Sequence, residues 1–269
     1  MTKKITSEDV YTQEVGDLYD EAGISCNPIS IGTLLDLAAE HGVDKDALVL
    51  DVGCANGGVS RELLEKTGCQ IEGVELLKFL VDMGVEQNKE LGLDDRFRIQ
   101  QGSITDIPFP DNTFDFIFCD DVIGLVEDLP KAMSECARVL KPNGKGLIYA
   151  SFGTDRLSVH EANELKESLG GATKGLDVGY AENCIKEQFK LVQKTVIGSQ
   201  FSQYSTEKNQ AKSEAAENLL KVARLLTWPD KYIKKYGEKT YQIVLAEVMW
   251  SPFILLGKLE PTVFIVQKT

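Results

Sequence analysis

Val49-Leu-Asp-Val-Gly-Cys-Ala-Asn-Gly-Gly58 is the stretch on which the reading of the whole chain turns. Its first half is a short apolar run, as expected of a parallel strand buried on both faces. Its second half is built of small residues, which let a backbone turn tightly and come close to a ligand. A helical pattern follows over 57–66, and Gly68 stops it. The spacing is Asp-x-Gly-x-Ala-x-Gly, with the acidic residue first, on the strand end. This is not the G-x-G-x-x-G that seats a dinucleotide pyrophosphate on a helix N-terminus. A carboxylate at Asp51 would repel pyrophosphate and suit a ligand carrying a positive amino group. Glu75 closes the next strand, in Ile71-Glu-Gly-Val-Glu75, 22 residues past Gly53. A carboxylate about 20 residues beyond a glycine loop accepts hydrogen bonds from ribose hydroxyls.

The same strand-then-helix rhythm extends outward. Strand patterns are read at 48–52, 70–74, 97–101, 114–119 and 145–151, with helices at 76–91 and 128–140. Such alternation implies a parallel sheet covered by helices on both faces. Residues 1–47 read as helical, with Ser7 as a candidate cap. Beyond 151 come helices at 158–169 and 181–187, a strand at 189–197, a long helical stretch at 206–250 broken by Pro229, and a closing strand at 262–267.

Composition narrows the function. The 269 residues carry 29 Lys+Arg against 42 Asp+Glu, a net charge of −13. A duplex-binding surface needs clustered basic residues to neutralise phosphates, so nucleic acid is not expected as the substrate. The longest apolar stretch, 248–256, is far short of the roughly 20 residues of a membrane span. The first nine residues lack the apolar core of a secretion signal. None of the six cysteines has a C-x-x-C neighbour, so no zinc or other metal site is expected. They read as small core residues of a reducing compartment, which points to the cytosol.

An amino-acid-like cation near the first strand and a ribose near the second are both groups of S-adenosylmethionine. Over about 48–151 the chain resembles the class I S-adenosylmethionine-dependent methyltransferases. The glycine loop and Glu75 carry that resemblance, with two further segments. These are Gly102-Ser-Ile-Thr-Asp-Ile-Pro-Phe-Pro-Asp-Asn-Thr-Phe-Asp115 and Glu135-Cys-Ala-Arg-Val-Leu-Lys-Pro-Asn-Gly144. The resemblance implies an α/β fold: a Rossmann-like, seven-stranded, mostly parallel sheet with helices on both faces. It implies a methyltransferase core over 47–199 and 258–269, an N-terminal helical cover over 1–46, and a helical acceptor-binding lid over 200–257. It places methionine-moiety contacts at Asp51, Gly53, Ala55 and Gly57, and the ribose on Glu75. Leu76 would lie against the adenine, Ser103 and Ile104 at its edge, and Cys119 and Asp120 near the amino group. Tyr19 resembles a cofactor-touching position of the N-terminal helix. Two residues depart from the pattern: Ala55 replaces a usual glycine, and Ser103 replaces a frequent aspartate.

Methyl transfer from a sulfonium is an in-line displacement, dominated by placement and exclusion of water. The acceptor is expected over the strand ends, beside the segment after the fourth strand. Many relatives carry a histidine there, where this chain has Gly124 and Leu125. Asp121 is the polar candidate to orient an acceptor or take its proton, and His160 is the second. Eight of the 21 aromatics fall in 200–253. Trp228, Tyr232 and Tyr236 are the candidates there for binding a flat or cationic acceptor. Helix packing or a contact within a homodimer is the competing reading. The expected activity is methyl transfer to a small organic acceptor: an amine, a phenol or enol, or an activated carbon. The alternatives are methylation of protein or RNA, and a cofactor-binding protein without transferase activity.

Overall fold

In a computed structural model, residues 7–10, 12–22, 31–169, 174–197 and 214–269 are described. The chain divides into two compact units.

The sheet-bearing unit comprises Ile31–Ala150, Val178–Thr195 and Thr262–Thr269. Its strands are β1 (Leu48–Val52), β2 (Gln70–Glu75), β3 (Phe97–Gln101), β4 (Phe114–Asp120), β5 (Leu140–Gly153), β6 (Lys190–Val196) and β7 (Leu259–Gln267). The ends of β5, β6 and β7 run into the other unit. The seven strands lie in the order β3-β2-β1-β4-β5-β7-β6, the mostly parallel sheet expected of the sequence. Strand β1 pairs in parallel with both β2 and β4, with Asp51 opposite Gly73 on one side and Phe118 on the other. Strand order reverses between β1 and β4. The loops that leave these two strands therefore diverge and open a crevice at their C-terminal ends. Val49, Leu50, Val52, Phe116, Ile117 and Phe118 are buried at the centre of the sheet.

The unit's helices are α3 (Ile31–Glu40), α4 (Gly58–Thr67), α5 (Lys78–Glu90), α6 (Leu129–Val139) and α8 (Val178–Gln188). Gly68 closes α4 at φ 77°, donating to Leu64 O. Asp128 caps α6 by accepting from Lys131 N at 3.1 Å. The fifth strand starts at Leu140 rather than 145, because Leu140 already pairs with Phe114 and a register irregularity absorbs the Pro-Asn-Gly turn. Pairing with a formed neighbour overrides the local turn signal here.

The helical unit comprises the described parts of Met1–Ser30, Ser151–Asp177 and Val196–Pro261. It contains α1 (Ser7–Val10), α2 (Gln13–Ala22), α7 (Val159–Leu169), α9 (Glu214–Thr227), α10 (Pro229–Tyr236) and α11 (Glu238–Leu255). The long helical stretch read from the sequence is thus broken twice, before Pro229 and at Gly237. Val10, Val15 and Leu18 pack in one cluster with Val222, Leu225, Tyr232, Tyr241 and Val248. Glu21 on α2 pairs with Lys231 at 2.8 Å and Lys235 at 2.5 Å, and accepts from Tyr236 Oη at 2.6 Å. The unit boundaries differ from the sequence expectation. Residues 31–46 belong with the sheet, and 151–177 belong with the N-terminal and C-terminal helices. Amphipathic helices sort by which apolar face finds a partner, and sequence order does not reveal that.

Candidate active site

The glycine turn is held by its neighbours. Gly53 N donates to Val74 O at 2.7 Å, and Gly57 N to Cys54 O at 2.8 Å. Gly53 and Gly57 have φ of 78° and 81°, in the left-handed region. A Cβ on Gly53 would collide with the Val122 side chain, and one on Gly57 with the Phe97 ring. Ala55 is also left-handed, at φ 49°, so this family glycine position keeps its conformation with a methyl group added. Arg61 steadies the turn from outside, reaching Asn56 O at 3.0 Å and Asn88 Oδ1 at 2.9 Å.

Acidic groups surround the turn. Asp51 is 3% exposed, and its Oδ2 accepts from Ser60 Oγ at 2.5 Å. No described residue bonds its second oxygen. Burial pushes the Asp51 carboxyl up to about 7, with the Ser60 bond opposing and the charge of Glu75 adding. Glu75 is also buried; its Oε2 accepts from Ala55 N at 3.1 Å and its Oε1 from Leu77 N at 2.8 Å. Glu75 therefore shapes the loop as well as facing it. Each oxygen retains a lone pair for a further donor. At the end of β4, half-buried Asp120 has no hydrogen-bond donor among the described residues. Burial, then the charges of Asp121 and Asp51, push its carboxyl up to about 8. Carboxyls so raised favour their neutral form, and a cation brought near either would draw it back toward the charged one.

The other residues singled out from the sequence divide. Leu76 is 55% exposed beside Glu75, an apolar surface rather than core. Ile104 is half-buried. Ser103 Oγ is engaged by Thr105, at 2.8 Å to its Oγ1 and 3.2 Å to its N, so its hydroxyl is committed locally. Cys119 is fully buried and its thiol is pushed well up, first by burial. Its side chain is core, and only its backbone is left to meet a ligand. Asp121 is exposed, at φ 56°, with its N–H donating to Tyr149 O at 3.0 Å. An aspartate tolerates this left-handed turn, and such strain is concentrated at functional sites.

His160 lies on α7 with its side chain 83% exposed, 3.4 Å from Glu164. That is a surface imidazole with a local partner, not one held in a water-excluding site. Tyr232 is buried in the helical unit's core, and Tyr236 bonds Glu21. Trp228 is 56% exposed. Of the three aromatic candidates, packing has claimed Tyr232. Tyr19 lies on α2, but its side chain is outside the described residues, as are Phe201 and Tyr204.

Sequence reasoning missed the clamp on the loop after β3. Arg138 on α6 donates to Phe109 O at 2.8 Å and Ile107 O at 2.9 Å, and pairs with Asp111 at 2.9 Å. Buried Glu135 takes Ile107 N at 3.0 Å and Arg138 at 2.7 Å. The signal was present in the Glu-x-x-Arg spacing of 135–138, which puts both side chains on one helix face. No helix of the described residues is long and apolar enough to cross a membrane, and none of their acidic, His and Cys groups forms a metal-binding cluster.

Comparison with known proteins agrees with this geometry. Residues 50–148 match a family described as a methyltransferase domain. The chain is 34% identical over 132 residues to the sterol 24-C-methyltransferase ERG6B of Gibberella zeae, covering 49% of this chain and 34% of that one. The chain therefore spans about a third of the length of that relative. Among solved structures, the [4+2]-cyclase SpnF superposes with a TM-score of 0.72 at 18% identity, over 98% of this chain and 97% of that one. A phosphoethanolamine N-methyltransferase 2 of Haemonchus contortus does so with 0.68 at 20%, over 96% of this chain and 58% of that one. With its domain match at 50–148, its strand order and its acidic glycine turn, the chain carries a stretch similar to a methyltransferase domain, set in the fold of its S-adenosylmethionine-dependent structural neighbours.

Proposed function

We propose that this chain transfers a methyl group from S-adenosylmethionine to a small organic acceptor. The observation that carries the reading is the pair Asp51 and Asp120. Both are carboxyls at the ends of adjacent strands, raised by burial, with no cation among the described residues to offset them. S-adenosylmethionine fits that gap because it carries an ammonium and a sulfonium. When bound, it supplies an electrophilic methyl group on sulfur. Glu75 accepts the ribose hydroxyls, and exposed Leu76 offers an apolar surface to the adenine, with Ile104 at its edge. The Gly53–Gly57 turn brings backbone rather than side chain to the ligand. Asp121 orients the acceptor, and no histidine is assigned a role. A neutral amine or an electron-rich carbon suits such a site, since neither needs a strong base before attack.

The relatives named for sterol carbon methylation support a carbon acceptor, and the N-methyltransferase neighbour supports an amine. The net charge of −13 favours a small acceptor over nucleic acid. The described cysteines are all buried and none is held in a disulfide, which supports a reducing, cytosolic setting. The cyclase neighbour motivates a second reading, a cofactor-binding protein with other chemistry. Incubation with methyl-labelled cofactor and a panel of sterols, amines and phenols separates the two: transferred label supports the first, and cofactor binding without transfer the second. Glu75→Ala is expected to weaken cofactor binding about tenfold or more, since a hydrogen bond to a charged group is worth about 1.5–3 kcal/mol. Calorimetry with unchanged affinity would remove Glu75 from the site.

A further inference from the structure

Ser60 is fully buried in the first turn of α4. A serine inside a helix often turns back to the carbonyl four residues before it. For Ser60 that carbonyl is Asn56 O, which Arg61 Nη1 takes at 3.0 Å. The Ser60 hydroxyl crosses instead to the end of β1 and donates to Asp51 Oδ2 at 2.5 Å. That length falls in the range of bonds to an ionised carboxylate, about 2.5–2.7 Å. Alanine would suit α4 better at this position, and a buried hydroxyl costs free energy unless it is bonded. The bond spans the Gly53–Gly57 turn and lies within the sheet-bearing unit. Among the described residues no cation acts on Asp51. The titratable groups that face it are Glu75 at the end of β2, Cys119 and Asp120 on β4, and Cys54 in the turn. Burial keeps both thiols neutral. The charge of Asp51 raises Asp120, and the Ser60 bond is the one described influence that lowers the Asp51 carboxyl itself.

We propose that Ser60 is a positioning residue of the cofactor site, pinning one oxygen of Asp51 and leaving the other to meet the ammonium of S-adenosylmethionine. The inference rests on the methyl-transfer reading. Ser60 acts through Asp51 and is assigned no contact with the ligand. Its hydroxyl stabilises the ionised form of Asp51 over the neutral form, so deleting it moves the carboxyl further up. A ligand that needs the charge must then displace a proton first, and that cost is largest at low pH. A bond that only tied α4 to β1 would weaken binding equally at every pH, and it would do so for a ligand without an ammonium as well.

The test measures binding of S-adenosylmethionine to the full chain by calorimetry at about pH 6 and about pH 7.5, where its amino group is still mostly protonated. Ser60→Ala should weaken binding about tenfold at the lower pH and about threefold at the higher. At the higher pH it should also raise proton release by about half a proton per cofactor. 5′-Methylthioadenosine has the adenosine but no ammonium, and should bind wild type and Ser60→Ala within about twofold of each other. Ser60→Cys, close in size and a weaker donor, should show the same pH pattern at smaller amplitude, and it carries the test if the alanine variant does not fold. The proposal is overturned if Ser60→Ala binds S-adenosylmethionine like wild type, if the loss is the same at both pH values, or if methylthioadenosine loses as much as S-adenosylmethionine. Failure of the methyl-transfer reading is distinct: wild type would then not bind the cofactor, or would bind it without transferring label.

Discussion

Asp120 and Asp51 are the residues whose chemistry is most exposed to test. Both carboxyls are raised above the ordinary value of about 3.9, to about 8 and about 7. A carboxyl raised in the folded state favours folding at low pH and loses that contribution as pH climbs through its folded value. The unloaded protein should therefore lose stability steadily as pH rises from about 4 to about 8 and level off above that, and a bound cation should offset the loss. Below pH 7.5, where the cofactor's amino group is still largely protonated, its binding should release protons and tighten about three- to tenfold per pH unit. Asp120→Asn should flatten that slope. Calorimetry in buffers of different ionisation enthalpy reads both, and a flat profile in wild type would contradict the site. Gly53 makes a steric prediction. Gly53→Ala adds a methyl against Val122 at a left-handed φ and should cost about 1–3 kcal/mol in denaturant unfolding. Adding Val122→Ala should recover the collision but not the backbone cost. The left-handed turn at Gly53 and the strand-end place of Glu75 were legible because both follow from local order. The lack of a donor for Asp120 was not, because it depends on what fails to come near it.

Helix α6 shows why a run of matched sequence is functional without touching a ligand. Arg138 and Glu135 tie the loop after β3, which carries Ser103 and Ile104, to that helix. The guanidinium first, and the Ile107 amide, hold Glu135 down at about 2. Its stabilising contribution is therefore present above about pH 4 and is lost as pH falls toward 2. Arg138→Ala leaves buried Glu135 with only the Lys131 ammonium at 3.3 Å and the Ile107 amide, and leaves two loop carbonyls without their donor. The expected loss is about 2–4 kcal/mol by denaturant unfolding at pH 7, with cofactor affinity reduced as the loop loosens. Arg138→Ala combined with Glu135→Leu should recover part of the stability and none of the affinity. Equal stability of Arg138→Ala and wild type would show the clamp to be ornamental.

The division into two units redistributes the aromatic residues that looked alike in sequence. Tyr232 is 4% exposed inside a cluster joining α2, α9, α10 and α11, and Trp228 is 56% exposed. Tyr232→Ala should cost about 3–5 kcal/mol through lost burial and a cavity, whereas Trp228→Ala should stay within about 0.5 kcal/mol. If acceptor binding uses this unit's surface, Trp228→Ala weakens it at unchanged Tm. Thermal unfolding beside an acceptor titration separates the two residues, and a large Tm loss for Trp228→Ala would make it core.

By itself, the sequence determined the parallel sheet, the glycine turn and the two strand-end carboxylates Asp51 and Glu75. These depend on local order: apolar runs of strand length, glycines where the chain must turn left-handed, and acids at fixed offsets from them. Tertiary structure decided what side-chain type cannot encode. It buried Cys119 and Tyr232, left His160 on a surface and engaged Ser103 with its neighbour. It gathered Ser151–Asp177 with the helical unit, closed the Arg138 clamp and left Asp120 without a described donor. The physical reason is that desolvation and pairing are set by atoms distant in the chain, and identical residue types acquire opposite roles once their neighbours are fixed.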